Sequence, residues 1–274
     1  MNEETIHRIM ATQGAEPAAA DLPLDALSLG RGVFETVLVL GGRAVLGGRH
    51  QERLARSCEE LEITSAQQAR RLFKQAVEIA AREGPARARL RLAVFADSGR
   101  PPVGLLAVRE APEPPAAVKL NIAGCRRRPG CSTVVHKSAS YLENLTALQE
   151  ARRRGFDDAL FLDEAGDLAE TAVANLFLIT GDELRTPPEG SILPGVVRAW
   201  VLEEAARLGV KVDEGEIPAA ELGRADAAFV TNSIKGLVPV ARAGDTVFVE
   251  PGRDGTFRTL LEAYEELLES TSQA

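Results

Sequence analysis

The sequence predicts an α+β protein of two domains. Strand-like and helix-like apolar patterns are mixed along the chain, without the strict alternation that a parallel sheet requires. Of the 274 residues, 45% are hydrophobic and 26% are charged, which is typical of a globular protein with a substantial core. A stretch rich in proline and charge, residues 109–117, interrupts the patterns as a linker would. We therefore predict a smaller first domain over residues 1–113 and a larger second domain over residues 118–274.

The first domain opens with a predicted hairpin. Residues 33–39 (VFETVLV) form a strand, Gly-Gly forms the turn, and RAVL forms the second strand. A helical pattern follows from about residue 50 to residue 63. Residues 88–95 and 103–108 are then predicted to be strands. A second helix is predicted between the first helix and the strand at 88–95. Its apolar face comprises Leu72, Phe73, Ala76, Val77 and Ala80.

The second domain opens with a basic segment, CRRRPGC (125–131), which we predict to be a loop. Residues 142–154 are predicted to form a helix closed by Gly155, because glycine favours the left-handed backbone at a helix end. Its inward residues are expected to be Leu142, Leu145, Leu148 and Ala151. The remaining predictions are strands on both sides of the Glu-Ala-Gly turn (164–166), a helix after Gly195 that ends at Gly209, a strand in AAFVTNS (227–233), and a helix over about 257–270.

Bulk properties exclude several classes of function. The net charge of −8 argues against nucleic acid as a partner, because phosphate contacts need a basic face. The three cysteines include no Cys-x-x-Cys pair, so we expect reduced thiols and a cytoplasmic protein. The first residues, MNEETIHRIMATQG, lack the apolar core of a signal peptide. Because no apolar run is long enough to form a membrane helix, we expect no membrane partner.

Several catalytic motifs are also absent. The chain has only three histidines and no His-Glu-x-x-His, so no metal site is expected. Phosphate-binding Gly-x-x-x-x-Gly-Lys and the nucleophile motif Gly-x-Ser-x-Gly do not occur, and Gly30-Arg31-Gly32 lacks the third glycine of a dinucleotide-binding loop. The groups that remain as candidates for a functional site are lysine side chains, carboxylates and helix N-termini.

Among the lysines, Lys137 is the best candidate for catalysis. Only five of the 32 basic residues are lysine, and only lysine can lose its proton and form a Schiff base. Lys137 follows Val134 and Val135 and precedes small residues and Tyr141, an environment that suits a planar cofactor. The ordinary alternative is an exposed lysine at a strand end.

Six short motifs, each weak alone, occur in a fixed order along the chain. They are LGRGVFET (29–36), HQERL (50–54), HKSASY (136–141), LAETAVANLFLI (168–179), LPGVVR (193–198) and TNS (231–233). In this order, over about residues 28–245, the sequence resembles the fold-type IV (class IV) pyridoxal-phosphate enzymes. This family includes D-amino-acid aminotransferases, branched-chain aminotransferases and 4-amino-4-deoxychorismate lyases. The resemblance implies the class IV aminotransferase-like fold, with pyridoxal 5'-phosphate at the domain interface.

The resemblance implies a role for each matching residue. Lys137 would form the Schiff base and act as general base, and Tyr141 would bond the phenolic oxygen of the cofactor. Glu170 would bond the pyridine nitrogen and keep it protonated, so that the ring withdraws electrons. Arg53 would contact the phosphate. The remaining phosphate ligands would be the backbone N–H groups of Gly195, Val196 and Val197 at a helix start, and the turn of Thr231, Asn232 and Ser233.

Among the family's activities, the sequence favours 4-amino-4-deoxychorismate lyase, which releases pyruvate and 4-aminobenzoate in folate biosynthesis. VFET (33–36) and FVTNSIKGLVPV (229–240) resemble the lyase branch more than the branched-chain aminotransferases. A class IV aminotransferase acting on D-amino or branched-chain amino acids is the alternative, and a non-catalytic cofactor-binding relative is a remoter one. The expected partners are a small amino substrate and a second copy of the chain in a homodimer.

Overall fold

The computed structural model describes residues 6–11 and 22–273. The chain forms two compact units. The first contains the described residues of 1–112, 136–141 and 267–274, and the second contains residues 113–135 and 142–266. The short segment that carries Lys137 thus belongs to the first unit, although its neighbours in sequence on both sides belong to the second. No helix in the described ranges is long and apolar enough to cross a bilayer.

The first unit is built on a five-stranded antiparallel sheet in the order β1-β5-β4-β2-β3. Its strands are β1 (Ile6–Ala11), β2 (Gly32–Leu40), β3 (Arg43–Ala44), β4 (Arg87–Phe95) and β5 (Val103–Glu110), and its helices are α1 (Leu24–Ser28), α2 (Gly47–Glu60) and α3 (Ala66–Glu83).

One face of this sheet packs against α2 and α3. Alternate residues of β2 and β4, such as Val37 and Leu92, join Leu54 of α2 and Leu72 of α3 in a single buried core. Alternation places the intervening strand residues on the opposite face. Ser65 precedes α3 as its N-cap, and its hydroxyl accepts a bond from the Gln68 amide.

The second unit holds a nine-stranded mixed sheet in the order β11-β10-β9-β12-β13-β6-β7-β8, with β14 added beside β13. Its strands are β6 (Val118–Arg127), β7 (Asp158–Asp163), β8 (Leu168–Thr171), β9 (Asn175–Thr180), β10 (Glu183–Thr186), β11 (Lys211–Glu214), β12 (Ala227–Asn232), β13 (Gly236–Ala243) and β14 (Thr246–Val247). The helices that begin in this unit are α4 (Ser132–Val135), α5 (Leu142–Arg153), α6 (Val196–Arg207) and α7 (Gly255–Gln273), together with a 3-10 helix at Ala219–Arg224.

The α+β prediction is confirmed, and so are most predicted elements, but three details are wrong. The basic segment 125–131 is not wholly a loop, because β6 continues to Arg127. Leu142 and Leu145 do not face inward on α5, since their exposed fractions are 77% and 47%. A strand that the sequence did not suggest, β1, forms one edge of the first sheet.

Candidate active site

In the first unit, Lys137 is fixed by backbone bonds to the edge of β2. The Phe34 amide donates to the Lys137 carbonyl over 2.8 Å, and the Ala139 amide donates to the Gly32 carbonyl over 2.8 Å. Val33 and Ser138 pair as an antiparallel bridge. The lysine segment therefore extends the sheet locally, and its backbone position is set by β2.

The side chain of Lys137 lies against aromatic rings. Its Nζ is 4.7 Å from the ring centroid of Phe34 and 5.8 Å from that of Tyr141. The two rings meet edge to face, with centroids 5.3 Å apart. Phe34 is almost fully buried. The structure thus brings Lys137 and Tyr141 together, beside flat apolar surface that suits a planar ligand.

A buried ion pair lies on the core side of β2. Arg53 donates from Nε and Nη2 to the two carboxylate oxygens of Glu35, over 2.8 and 2.7 Å. His50 Nδ1 lies 2.7 Å from Glu35 Oε2. Exposed fractions are only 1% for Glu35 and His50 and 8% for Arg53. The predicted phosphate ligand Arg53 is therefore positioned by a carboxylate on the strand that carries Phe34.

The charges in this cluster follow from its burial. Burial alone raises the pKa of Glu35, but the Arg53 and His50 charges and hydrogen bonds outweigh it and hold the pKa at about 2. Burial lowers the pKa of His50. At neutral pH the cluster thus contains an ionised Glu35 and a neutral His50, whose Nδ1 donates to the carboxylate.

In the second unit, Glu170 lies near the end of β8 with its carboxylate buried. The Leu193 amide donates to Oε2 over 3.1 Å, and Asn175 Nδ2 donates to the same oxygen over 3.4 Å. Arg127 Nε lies 3.8 Å from Oε1. A buried carboxylate with these partners is held in one orientation.

Arg127 reaches this site because β6 extends further than predicted. Its guanidinium stacks on the Phe161 ring, 3.7 Å from the centroid, and donates from Nη1 to Glu143 over 2.5 Å. Its exposed fraction is 2%. The positive charge of this buried arginine therefore lies close to the Glu170 carboxylate.

Asn175 connects three of the predicted site elements. Its Nδ2 donates to the Glu170 carboxylate and to the Leu193 carbonyl. In the register of β9 and β12 it lies opposite Thr231. A Cβ atom added to Gly195 would collide with Asn175 Oδ1, so only glycine fits there. Glu170, Gly195 and Thr231 are therefore grouped around one amide side chain.

The predicted phosphate ligands in this unit have open hydrogen-bonding groups. In the described part of the chain, no side chain caps the start of α6 at Gly195. The Val196 and Val197 side chains are buried, which leaves the backbone N–H groups as donors. The Thr231 hydroxyl is buried, and it has no hydrogen-bond partner among the residues that the structure describes. Such a group is rare in a native protein unless a ligand satisfies it.

Asn232 and Ser233 complete the turn after β12. Asn232 Oδ1 accepts bonds from the Ile234 and Lys235 amides over 3.0 and 2.9 Å. The Asn232 side chain therefore shapes the turn itself, whereas Ser233 lies half-buried at its tip.

Sequence reasoning missed Glu35, His50, Arg127 and Asn175. The spacing of His50 and Arg53 on one helix face was a usable signal, because residues three apart on a helix point the same way. Asn175 also carried a signal, since an amide flanked by Ala174 and Leu176 at a strand start is polar where the pattern is apolar.

Comparison with known proteins identifies the family. The model of the family described as amino-transferase class IV matches residues 32–243, which include all ten predicted site residues. The chain belongs to the class IV aminotransferase family.

Relatives of this class IV protein carry two kinds of name. It is 28% identical to a Thermotoga maritima protein named as a probable branched-chain-amino-acid aminotransferase, over 92% of this chain and 91% of that one. It is also 28% identical to the aminodeoxychorismate lyase of Bacillus subtilis, over 78% of each chain.

The similar solved structures likewise include both a lyase and an aminotransferase. The 4-amino-4-deoxychorismate lyase of Pseudomonas aeruginosa matches with a TM-score of 0.80 and 26% identity, covering 95% of this chain and 98% of that one. An aminotransferase of Brucella abortus bound to PLP matches with a TM-score of 0.80 and 25% identity, covering 96% and 99%. The two-unit α+β architecture is thus that of class IV aminotransferases.

The class IV family uses pyridoxal 5'-phosphate, and this protein is a PLP-dependent enzyme. The residues present fit that cofactor. Within residues 6–11 and 22–273 the buried Thr231 hydroxyl has no hydrogen-bond partner. Gly195 keeps the start of α6 free of any Cβ, and Glu170 is a buried carboxylate. These groups match the hydrogen-bonding needs of a phosphate and of a protonated ring nitrogen.

Proposed function

We propose that this class IV enzyme is a 4-amino-4-deoxychorismate lyase, which converts its substrate into pyruvate and 4-aminobenzoate. Similarity to proteins named as this lyase, over 78% and 95% of this chain, supports the proposal. The single observation that carries the choice is the segment 229–240, FVTNSIKGLVPV. It resembles the lyase branch, and the turn that Asn232 builds presents Ser233 and Lys235 between β12 and β13.

Four side chains would surround the ring of the cofactor, while Arg53, Thr231 and Ser233 would hold its phosphate. Lys137 would bind it covalently through Nζ, and the aromatic rings of Phe34 and Tyr141 beside that amine would exclude water. Glu170, positioned by Asn175 and the Leu193 amide, would hold a proton at the ring nitrogen. When bound, pyridoxal phosphate supplies an electron sink that stabilises negative charge at a substrate carbon.

The freed amine of Lys137 would then move protons. It would take one from the substrate carbon that bears the amine, acting as general base. The bond from the ring to the enolpyruvyl oxygen would break, and the proton would finally reside on the pyruvate released. The ring left behind becomes aromatic, which provides driving force. Buried Arg127 would keep a positive charge near Glu170.

The purified protein should be mixed with aminodeoxychorismate without any keto acid, and pyruvate and 4-aminobenzoate measured. The proposal expects equal amounts of both products. It also expects a visible absorption band that borohydride fixes to Lys137, and no turnover by Lys137→Ala. Turnover that requires a keto acid would instead assign an aminotransferase. A colourless protein, or full turnover by the alanine variant, would contradict the role of Lys137.

The aminotransferase alternative rests on the Thermotoga maritima relative, which matches nearly the whole chain. Transamination of branched-chain or D-amino acids, with bleaching of the visible band by those substrates alone, would favour it. A non-catalytic cofactor-binding protein would show the band but no turnover with either class.

We also propose that the protein works as a homodimer. Leu142 and Leu145 of α5 and the nearby loop residue Val173 are large apolar side chains left exposed in the second unit. Sedimentation would measure the assembly, and a monomer at micromolar concentration would refute it.

A further inference from the structure

His136 directly precedes the proposed catalytic lysine, but its side chain points to the opposite face of the sheet. This part of the chain lies along β2, where Val33 pairs with Ser138. Successive side chains of an extended segment point to alternate faces. Because Lys137 lies on the face that carries the Phe34 ring, His136 lies on the core face, which α2 covers.

Two side chains of α2 contact the imidazole of His136. Its Nδ1 lies 3.1 Å from the hydroxyl oxygen of Ser57, and its Nε2 lies 3.6 Å from Glu60 Oε2. Ser57 is buried, and the His136 side chain is only 11% exposed, whereas Glu60 is largely open to solvent. Residues three apart on a helix point to the same side, so both contacts come from one turn of α2.

The contact with Ser57 is a neutral hydrogen bond. Burial lowers the pKa of His136, the charge of Glu60 opposes this shift, and the charge of Arg56 adds to it. At pH 7 the ring is therefore neutral and carries one proton. The Glu60 carboxylate favours that proton on Nε2, which leaves Nδ1 to accept a hydrogen bond from the Ser57 hydroxyl.

Ser57 belongs to the same helix as the predicted phosphate ligand Arg53. Both residues are buried on α2, one helical turn apart. Arg53 is bonded in turn to Glu35 of β2. Within the first unit, α2 is thus joined to β2 by a buried ion pair and to the lysine segment by the bond between Ser57 and His136.

We propose that His136 is a positioning residue, which holds Lys137 in register on the side of β2 that carries Phe34. The segment around Lys137 is short and polar, and such a segment specifies its register weakly. A shift of one residue would turn Lys137 towards the core and His136 towards the Phe34 ring. The bond to Ser57 opposes this shift, because a shifted chain would carry the imidazole away from α2. The inference rests on the proposed role of Lys137, which it deepens.

Hydrogen exchange of the full-length protein without cofactor measures the attachment of the lysine segment directly. The Phe34 amide donates to the Lys137 carbonyl, and the Ala139 amide donates to the Gly32 carbonyl. Both amides lose these bonds when the segment detaches, so their exchange rates report the population of the detached state.

The variants remove the proposed bond from either side. His136→Leu keeps the bulk of the side chain without its nitrogen atoms, and Ser57→Ala removes the hydroxyl. His136→Asn is the conservative variant, because its amide oxygen can accept a hydrogen bond near the position of Nδ1. Glu59→Gln is the control, since Glu59 is exposed on α2 beside Glu60.

Loss of a neutral hydrogen bond shifts an equilibrium by about 3-fold to 10-fold. We therefore expect the two amides to exchange about 3-fold to 10-fold faster in His136→Leu and in Ser57→Ala. The double variant should be no faster than either, because both changes remove the same bond. His136→Asn should restore slow exchange at least in part, and Glu59→Gln should match the wild type. Amides of β4 should keep their exchange rates in all variants.

The holoenzyme provides a second measurement. Detachment of the segment exposes the covalent bond at Lys137 to water, so pyridoxal phosphate should be released faster from His136→Leu and Ser57→Ala by the same factor as the exchange. His136→Asn should again lie closer to the wild type. Absorbance in the visible range follows the release.

Four outcomes would overturn the inference. They are unchanged exchange in His136→Leu, additive effects in the double variant, acceleration that extends equally to β4, and unchanged release of the cofactor from variants that exchange faster. Failure of the proposed function is distinguishable. If borohydride fixed no cofactor to Lys137 of the wild type while the coupled exchange was observed, the role of Lys137 would be wrong and the anchoring by His136 would stand.

Discussion

Replacing Glu35 with glutamine tests the buried cluster that positions Arg53. The pKa of Glu35 lies at about 2 instead of the ordinary 4.5, and this difference corresponds to about 3 kcal/mol of folding free energy. The variant also leaves the Arg53 cation in a buried site without its carboxylate, and removal of one partner of a buried ion pair costs about 3–5 kcal/mol. We expect Glu35→Gln to lower the free energy of unfolding by about 3–5 kcal/mol at pH 7.

The sign of the pH dependence follows from the lowered pKa. The stabilisation is fully present above pH 4.5 and is lost as the pH falls towards about 2. The wild type should therefore lose stability as the pH falls from 4.5 to about 2, and the difference between the two proteins should shrink over that range. Urea unfolding of the apoprotein, followed by circular dichroism at several pH values, measures both quantities.

The control is a second Glu–Arg pair that also involves α2. Glu52 bonds Arg70 over 2.6 Å, but both side chains are exposed, so Glu52→Gln should change stability little. If Glu35→Gln destabilised the protein no more than Glu52→Gln, or if its effect did not change with pH, the assigned role of burial would be wrong. A stable Glu35→Gln variant with unchanged affinity for pyridoxal phosphate would also contradict the positioning of Arg53.

Two further predictions concern the second unit. Gly195→Ala should push the Asn175 amide away from its partners and lower the free energy of unfolding by about 1–3 kcal/mol. It should also weaken cofactor binding in a fluorescence titration. An unchanged affinity would contradict the close approach of Gly195 to Asn175. Burial raises the pKa of Asp158 from 3.8 to about 6, so the wild type should lose up to about 3 kcal/mol as the pH rises through that interval. Asp158→Asn should lack that loss in urea unfolding at pH 4.5 and 8, and a difference between the proteins that stayed constant with pH would refute the assignment.

The fold could be predicted where local pattern and tertiary packing agree. On β2 and β4 the apolar alternation matches the buried core, so the strands were evident. On α5 the same logic failed because Asn144 occupies a buried position, where its amide donates to the Ala172 carbonyl over 2.8 Å. Because the buried stripe of α5 contains a polar residue, the pattern of apolar residues wrongly placed Leu142 and Leu145 on the inward face.

The candidate site could be predicted where a motif names its residue. Motifs predicted Lys137 and Glu170 as site residues, whereas no motif pointed to the residues that contact and orient them. Glu35 and Arg127 are buried charges, and their burial depends on partners distant in sequence or on an aromatic ring. Composition treats such residues as surface charge, and only the three-dimensional pairing reveals them.

The Lys137 segment can join β2 only late in folding, because the two segments lie far apart in the sequence. Ser140 Oγ donates to the carbonyl of Gly30, 110 positions earlier in the chain. Closing so long a loop carries a large entropic cost before any bond compensates it. During synthesis the first sheet can be complete while its lysine is still to be made. A nascent or truncated chain ending before His136 would thus have that sheet without the Lys137 amine, and could not bind an aldehyde at that position.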